Sequence, residues 1–133
     1  CWGGLLTLGA KVRGVAGVVA DGPLRDVDEA VAYGFPVFSR QLTSRTARGR
    51  VVELGVQVPV TLGDAGGEVI VEPGDYVLAD QSAVIFIAAA DIERVLDAAE
   101  TIVAKEAAMA KAILSGTPIG QVMGGNYEHM LEQ

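Results

Sequence analysis

Val15-Ala16-Gly17-Val18-Val19-Ala20, followed at once by Asp21-Gly22-Pro23-Leu24-Arg25-Asp26-Val27-Asp28-Glu29, decides the reading of this chain. The first six residues are wholly apolar and partly β-branched, the pattern of a strand buried on both faces of a sheet. Asp26 to Tyr33 then reads as a short helix, with acids in its first turn and Gly34 after its end. Phe35-Pro36-Val37-Phe38 is a second short apolar run. Strand, helix, strand in that order implies a parallel pair joined by a crossover, and so an α/β protein.

Upstream, Leu5 to Val12 has the Leu, Ala and Lys content of a helix, opened by Gly3-Gly4 and closed by Gly14. Downstream the character changes. Arg50 to Leu62 partly alternates apolar and polar residues, as edge or antiparallel strands do, with Pro59 at an edge or bulge. Turns at Asp64 to Gly67 and at Pro73-Gly74-Asp75 separate strands at Glu68–Val71 and Tyr76–Ala79, and a last strand spans Ala83–Ile87. Together they predict a compact β-meander. A long helix is expected from about Asp91 to Leu114, with Ile92, Val95, Leu96, Ala99, Ile102 and Val103 on one buried stripe and Gly116 and Pro118 ending it. The tail to Gln133 is amphipathic in part and suits packing on a neighbouring subunit.

The chain has 133 residues, half of them apolar and 20% charged, with a mean hydropathy of +0.38. That balance fits a folded unit with a sizeable core rather than disorder. A net charge of −7 disfavours a nucleic-acid partner, because phosphates would be repelled. No apolar run approaches the roughly 20 residues that span a bilayer. No charged-then-apolar leader is visible either, so a cytoplasmic location is the default expectation. The chain opens on Cys1-Trp2-Gly3-Gly4 without an initiator Met and reads like the C-terminal part of a longer protein. Cys1 is the sole cysteine and His129 the sole histidine. Thiol nucleophiles, Ser/His/Asp sets and zinc spacings are therefore poor fits. There is also no glycine-rich cofactor turn of the kind a methyltransferase reading would need. Met109, Met123 and Met130 read as core or interface filler.

Chemistry concentrates in Asp21 to Glu29, where five ionisable groups occupy nine residues at the carboxyl end of a strand. Ligands gather at such places in open α/β sheets. A guanidinium fork there suits a substrate carboxylate, and hard divalent cations take carboxylate oxygens. Asp26 and Glu29, three apart, should point to one side. The alternative is plainer: a capping acid and a surface ion pair. The basic stretch Arg40, Arg45, Arg48, Arg50 has no acid within it and reads as a solvated loop or subunit contact, with attraction of an anionic substrate as the other option.

Trp2-Gly3-Gly4-Leu5-Leu6 and Lys11 to Asp26 together resemble the RraA-like family, which holds regulators of ribonuclease E activity and class II 4-hydroxy-4-methyl-2-oxoglutarate aldolases. The likeness continues through Gly34 to Phe38, Pro73-Gly74-Asp75 and Val77 to Asp80. It implies one domain over 1–133, lacking an N-terminal segment of the family domain. The implied fold is a layered β/β/α sandwich of the swivelling-domain type with a long C-terminal helix. A homotrimer or hexamer is also implied. One catalytic branch of the family carries an acid twenty residues before an Arg-Asp pair. Another has Gly there and an acid three residues after the Asp. Gly4, Arg25-Asp26 and Glu29 fit the second branch.

That resemblance implies that Gly3, Gly4, Leu5 and Leu6 contact substrate, partly through backbone amides at a helix start. Arg25 would bind the pyruvoyl oxygens. Asp26 would ligate Mg2+ or Mn2+, and Glu29 would orient a water on that ion. The implied activity is that of a divalent-metal-dependent lyase. It would cleave 4-hydroxy-2-oxo acids to pyruvate or decarboxylate oxaloacetate, with no lysine Schiff base. Lys11, Lys105 and Lys111 all fall in helical patterns away from the cluster. A neighbouring subunit would add an acid, with Glu100 and Glu106 as candidates. The competing implication is a non-catalytic regulator that docks on a ribonuclease; it leaves Glu29 without a purpose.

Overall fold

The structure is a computed structural model that describes residues 2–64 and 66–124. Cys1, His129, Met130 and the last part of the amphipathic tail lie outside the described residues. The chain divides into two compact units, 1–86 and 87–133. Among the described residues, no helix is long and apolar enough to cross a membrane.

The first unit opens with α1 (Gly4–Val12), which starts at the Gly3-Gly4 pair as expected. β1 (Val18–Ala20), α2 (Val27–Ala32) and β2 (Val37–Ser39) follow. β1 and β2 pair in parallel, Val18 with Val37 through Ala20 with Ser39. The predicted strand–helix–strand crossover is therefore present, with shorter strands. Val15 to Gly17 lie outside the ladder, and the β1 side chains are half-buried rather than enclosed on both faces. Gly17 explains part of the close approach: a Cβ there would stand 3.0 Å from the Pro36 ring. Phe35, just before β2, is buried at 5% exposure.

β3 (Val60–Leu62) and β4 (Val69–Val71) form an antiparallel pair, and β5 (Tyr76–Ala79) pairs with β6 (Val84–Ile87). The expected single meander is thus resolved, among the described residues, into separate two-stranded sheets. The strand expected over Arg50 to Leu62 shrinks to its last three residues. A bend at Val56-Gln57 breaks the rest: Gln57 has φ 56, and Gly55 comes so near Val58 that a Cβ would meet its methyl at 3.1 Å. Pro59 also lacks the N–H a ladder needs.

In the second unit a 3-10 turn (Ala89–Asp91) leads into α3 (Ile92–Leu114). Ser115 ends the helix, Thr117 N–H donates to Ala112 carbonyl, and Gly116 takes φ 96 in the left-handed region. The half-buried seam runs Ile92, Val95, Ala98, Ile102, Lys105 and Met109. Leu96, Ala99 and Val103, expected on that stripe, are exposed. The seam steps by three and four residues, which is narrower than the face the apolar pattern suggested. A four-residue helix, α4 (Ile119–Val122), follows Pro118.

Burial is sparse. Among the described residues the enclosed side chains are Leu24, Ala30, Phe35 and Thr7. Among the described residues the well-buried core expected from composition is not seen, and many apolar side chains of the small sheets are exposed. Leu54 at 95% and Leu5 at 86% exposure are extreme cases. What core there is sits beneath the Asp21–Glu29 corner.

Candidate functional site

Leu24 is the anchor of the site. It is 2% exposed and lies between two parallel bridges, one to Trp2 and one to Leu42. Leu24 N–H donates to Gln41 carbonyl (3.0 Å), Thr43 N–H to Leu24 carbonyl (2.8 Å), and Arg25 N–H to Trp2 carbonyl (3.0 Å). Three segments far apart in sequence are thereby tied into one short ladder. The start of α1 is locked to it as well. Trp2 Nε1 donates to Thr7 Oγ1 at 2.8 Å, and Thr7 Oγ1 donates to Gly3 carbonyl at 3.1 Å. Thr7 is buried, so its hydroxyl is satisfied on both sides.

Arg25 and Asp26 emerge from this anchor. Asp26 is a non-glycine residue in the left-handed region, φ 58 and ψ 38, at the start of α2. Such a conformation costs about 1 kcal/mol and persists where surrounding contacts enforce it. Its consequence is directional. The Asp26 carboxylate does not cap its own helix. Oδ2 instead accepts from Gly4 N–H at 3.0 Å and faces Arg25 Nε at 3.3 Å. Asp26 therefore serves the start of α1 rather than its own helix, and its half-exposed pair with Arg25 is also what the plainer alternative, a capping acid and a surface ion pair, describes.

Glu29, one turn into α2, reaches the same place. A Cβ added to Gly4 would stand 1.9 Å from Glu29 Oε2, and one added to Gly3 would stand 2.8 Å from Asp26 Oδ2 and from Arg25 Nε. The Glu29 carboxylate fills the space where a side chain at position 4 would begin. Arg25, Asp26 and Glu29, with Gly3, Leu5, Leu6, Thr46 and Ala47, line a cavity of about 350 Å3. Of the first-turn amides of α1, Gly4 N–H is taken by Asp26 Oδ2, as a helix start leaves such groups without an intrahelical acceptor and favours an anion beside them.

The sequence profile of the RraA-like family (Aldolase/RraA) matches residues 1–86, which coincide with the first compact unit. The chain belongs to the RraA-like family. It is 37% identical over 122 residues to an uncharacterized protein, MJ0644, of Methanocaldococcus jannaschii, covering 92% of this chain and 56% of that one. It is 34% identical over 105 residues to a Halalkalibacterium halodurans protein named as a putative 4-hydroxy-4-methyl-2-oxoglutarate aldolase, covering 78% of this chain and 47% of that one. A crystal structure of an uncharacterized Pseudomonas syringae protein superposes with a TM-score of 0.78 at 28% identity, covering 92% of this chain and 55% of that chain. This RraA-like chain spans about half the length of these relatives.

The residues to which the family resemblance gives roles in the first unit meet at one cavity: Gly3, Leu5, Leu6, Arg25, Asp26 and Glu29 line it and Gly4 lies against Glu29, whereas Asp21, Asp28, Arg40, Arg45, Arg48 and Arg50 are not among its lining. Glu100 and Glu106 lie on α3, in the second unit. Lys11 is in α1 and donates to Tyr33 carbonyl, away from the cavity; Lys105 and Lys111 are in α3. Sequence reasoning missed Thr46 and Ala47 as cavity wall. Neither residue type nor spacing flags them.

The donor set suits a hard divalent cation. Asp26 Oδ1 and the Glu29 carboxylate have no hydrogen-bond partner among the described residues. Mg2+ is commonly held by one or two carboxylates with water and substrate oxygens completing the shell. No cluster of three or more His, Cys, Asp or Glu residues arranged for a metal occurs among the described residues. A cation here would therefore rest on these two carboxylates and on non-protein oxygens.

Proposed function

We propose that this RraA-like chain is a pyruvate-forming lyase, one that cleaves 4-hydroxy-2-oxo acids or decarboxylates oxaloacetate with help from a divalent cation. The supporting observation is the convergence of one guanidinium and two carboxylates on the Gly3-Gly4 backbone inside a single cavity. The name carried by the Halalkalibacterium relative points the same way.

Arg25 engages Asp26 through Nε, so its terminal amino groups are left for the substrate. They suit the carboxylate and the 2-oxo oxygen of a bound 2-oxo acid. Asp26 holds that guanidinium in place while its own carboxylate is fixed by Gly4 N–H. As the C3–C4 bond breaks, its electron pair moves toward the C2 oxygen, and the fixed Arg25 charge stabilises the enolate oxyanion. In the retro-aldol direction the 4-hydroxyl proton must leave, and Glu29 accepts it directly or through one water. Asp26 and Glu29 would hold Mg2+ or Mn2+, which supplies Lewis-acid polarisation of the 2-oxo group. Assembly into a homotrimer or hexamer, with a further acid from a neighbour, belongs to the same proposal.

Pyruvate release from oxaloacetate, followed by a coupled assay with and without Mg2+, tests the reading. Arg25→Ala and Asp26→Ala should each lower kcat about a hundredfold or more, the loss typical of removing a charge-stabilising donor. Variants equal to wild type, or a rate indifferent to chelation, would end it. A regulator without catalysis would show neither effect.

A further inference from the structure

We infer that Thr7 is a positioning residue of the site: its hydroxyl, oriented by the Trp2 indole, sets the Gly3-Gly4 peptide against which Asp26 and Arg25 are held. The inference rests on the lyase reading above and adds to it a pair of residues that stand behind the cavity, since neither Thr7 nor Trp2 lines it.

A helical threonine commonly bonds back to the carbonyl four residues earlier. Thr101 does so toward Asp97 on the exposed surface of α3. Two features set Thr7 apart. It is 1% exposed, and its hydroxyl accepts the Trp2 indole N–H at 2.8 Å. An indole nitrogen only donates, so the Thr7 proton is left for Gly3 carbonyl, 3.1 Å away. The same carbonyl also accepts Thr7 N–H at 3.0 Å. The second feature is what lies at the other end of that peptide. Gly3 C=O and Gly4 N–H belong to one planar unit, so whatever fixes the carbonyl aims the N–H. Gly4 N–H points at Asp26 Oδ2, at 3.0 Å.

These contacts close into a ring. From the Trp2 side chain they pass through Thr7, the Gly3-Gly4 peptide and Asp26 to Arg25 Nε at 3.3 Å, and Arg25 N–H returns to Trp2 carbonyl at 3.0 Å. Each donor from Trp2 to Asp26 points the same way, so each bond polarises the next. The brace answers a local need. A Cβ at Gly3 would stand 2.8 Å from Arg25 Nε and Asp26 Oδ2, and one at Gly4 would strike Glu29, so the site demands glycine at both positions. Glycine is also the residue with the most backbone freedom, and nothing in its own chemistry holds the peptide still. The Thr7 hydroxyl supplies that hold from the buried side. A role confined to starting α1 would need only the main-chain bond.

Thr7→Val keeps the side-chain shape and removes the hydroxyl, whereas Thr7→Ser keeps the hydroxyl and removes a methyl group. Both should lower the melting temperature by a few degrees, the first by leaving the Trp2 indole without its acceptor, the second by loosening the packing. Only Thr7→Val should lower kcat for pyruvate release from oxaloacetate with Mg2+, by about tenfold or more over the protein-free rate. KM should stay within about threefold of wild type, because the Arg25 charge remains and only its aim is lost. Trp2→Phe keeps an aromatic ring without a donor; it should lower kcat in the wild-type background and add little to Thr7→Val, as both act through one hydroxyl. An unchanged kcat in Thr7→Val, an equal loss in Thr7→Ser, or fully additive losses overturns the inference while the lyase reading stands. Wild type that releases no pyruvate overturns both.

Discussion

Leu24 and Leu54, in the segment Val51–Val60, are the same residue type and opposite in outcome. Leu24 is 2% exposed and tied to Trp2, Gln41 and Thr43 by backbone hydrogen bonds. Leu54 is 95% exposed, Val52 76% and Val56 70%, and their segment enters a ladder only at Val60. Hydrophobicity is alike in both. What differs is long-range backbone pairing, which brings other chain segments over the apolar side chain and so removes it from water. The candidate site residues grow from the fastened corner, because a guanidinium and a carboxylate can be held in fixed geometry only where the backbone beneath them is held.

The sharpest way to break this contrast is a matched pair of truncations. Leu24→Ala should destabilise the protein by about 2–5 kcal/mol, as buried leucines do, whereas Leu54→Ala should stay within about 0.5 kcal/mol of wild type. Chemical denaturation of both variants checks this. Equal effects would mean that the corner is no more of a core than the exposed segment.

A smaller change probes the site rather than its support. Gly4→Ala places a methyl group where Glu29 Oε2 now lies, 1.9 Å from the added carbon. Glu29 is exposed and its side chain can swing away. Thermal stability should therefore fall by about 1 kcal/mol or less, while pyruvate release, on the proposed lyase reading, should fall about tenfold or more as the proton acceptor proposed at Glu29 is displaced. Retained activity would show that the Glu29 position is incidental.

The smallest expected effect concerns the turn between β5 and β6. Backbone N–H groups of Ser82 and Ala83 hold the Asp80 carboxyl below its ordinary value. A carboxyl with a lowered folded-state pKa adds stability above its unfolded value, and that stability is lost as pH falls through the folded value. Wild type should accordingly exceed Asp80→Asn in melting temperature at neutral pH and converge with it in acid. A constant gap across that range would refute the assignment.

Much of this was legible in the chain. Gly3-Gly4 ahead of a Leu/Ala/Lys run marked the start of α1, and Gly116 and Pro118 marked the end of α3. Both signals are local, since a helix start or stop depends on residues within a few positions. Arg25, Asp26 and Glu29 stood out as a charged cluster after an apolar run, and resemblance to a family gave them roles. The alternation in Val51–Val60 misled, because period two describes a side-chain pattern and cannot supply a partner strand.

The sequence by itself determined the order of helices and strands, the parallel crossover between β1 and β2, and the identity of the residues able to do chemistry. Tertiary structure alone decided that Asp26 would adopt a left-handed backbone and turn its carboxylate to Gly4 rather than to its own helix. It alone brought Thr46 and Ala47 to the cavity wall and set Glu29 in the space that a glycine leaves open. Local preference acts over a few residues, whereas these placements depend on Trp2, Leu24 and Leu42 meeting across forty positions of chain.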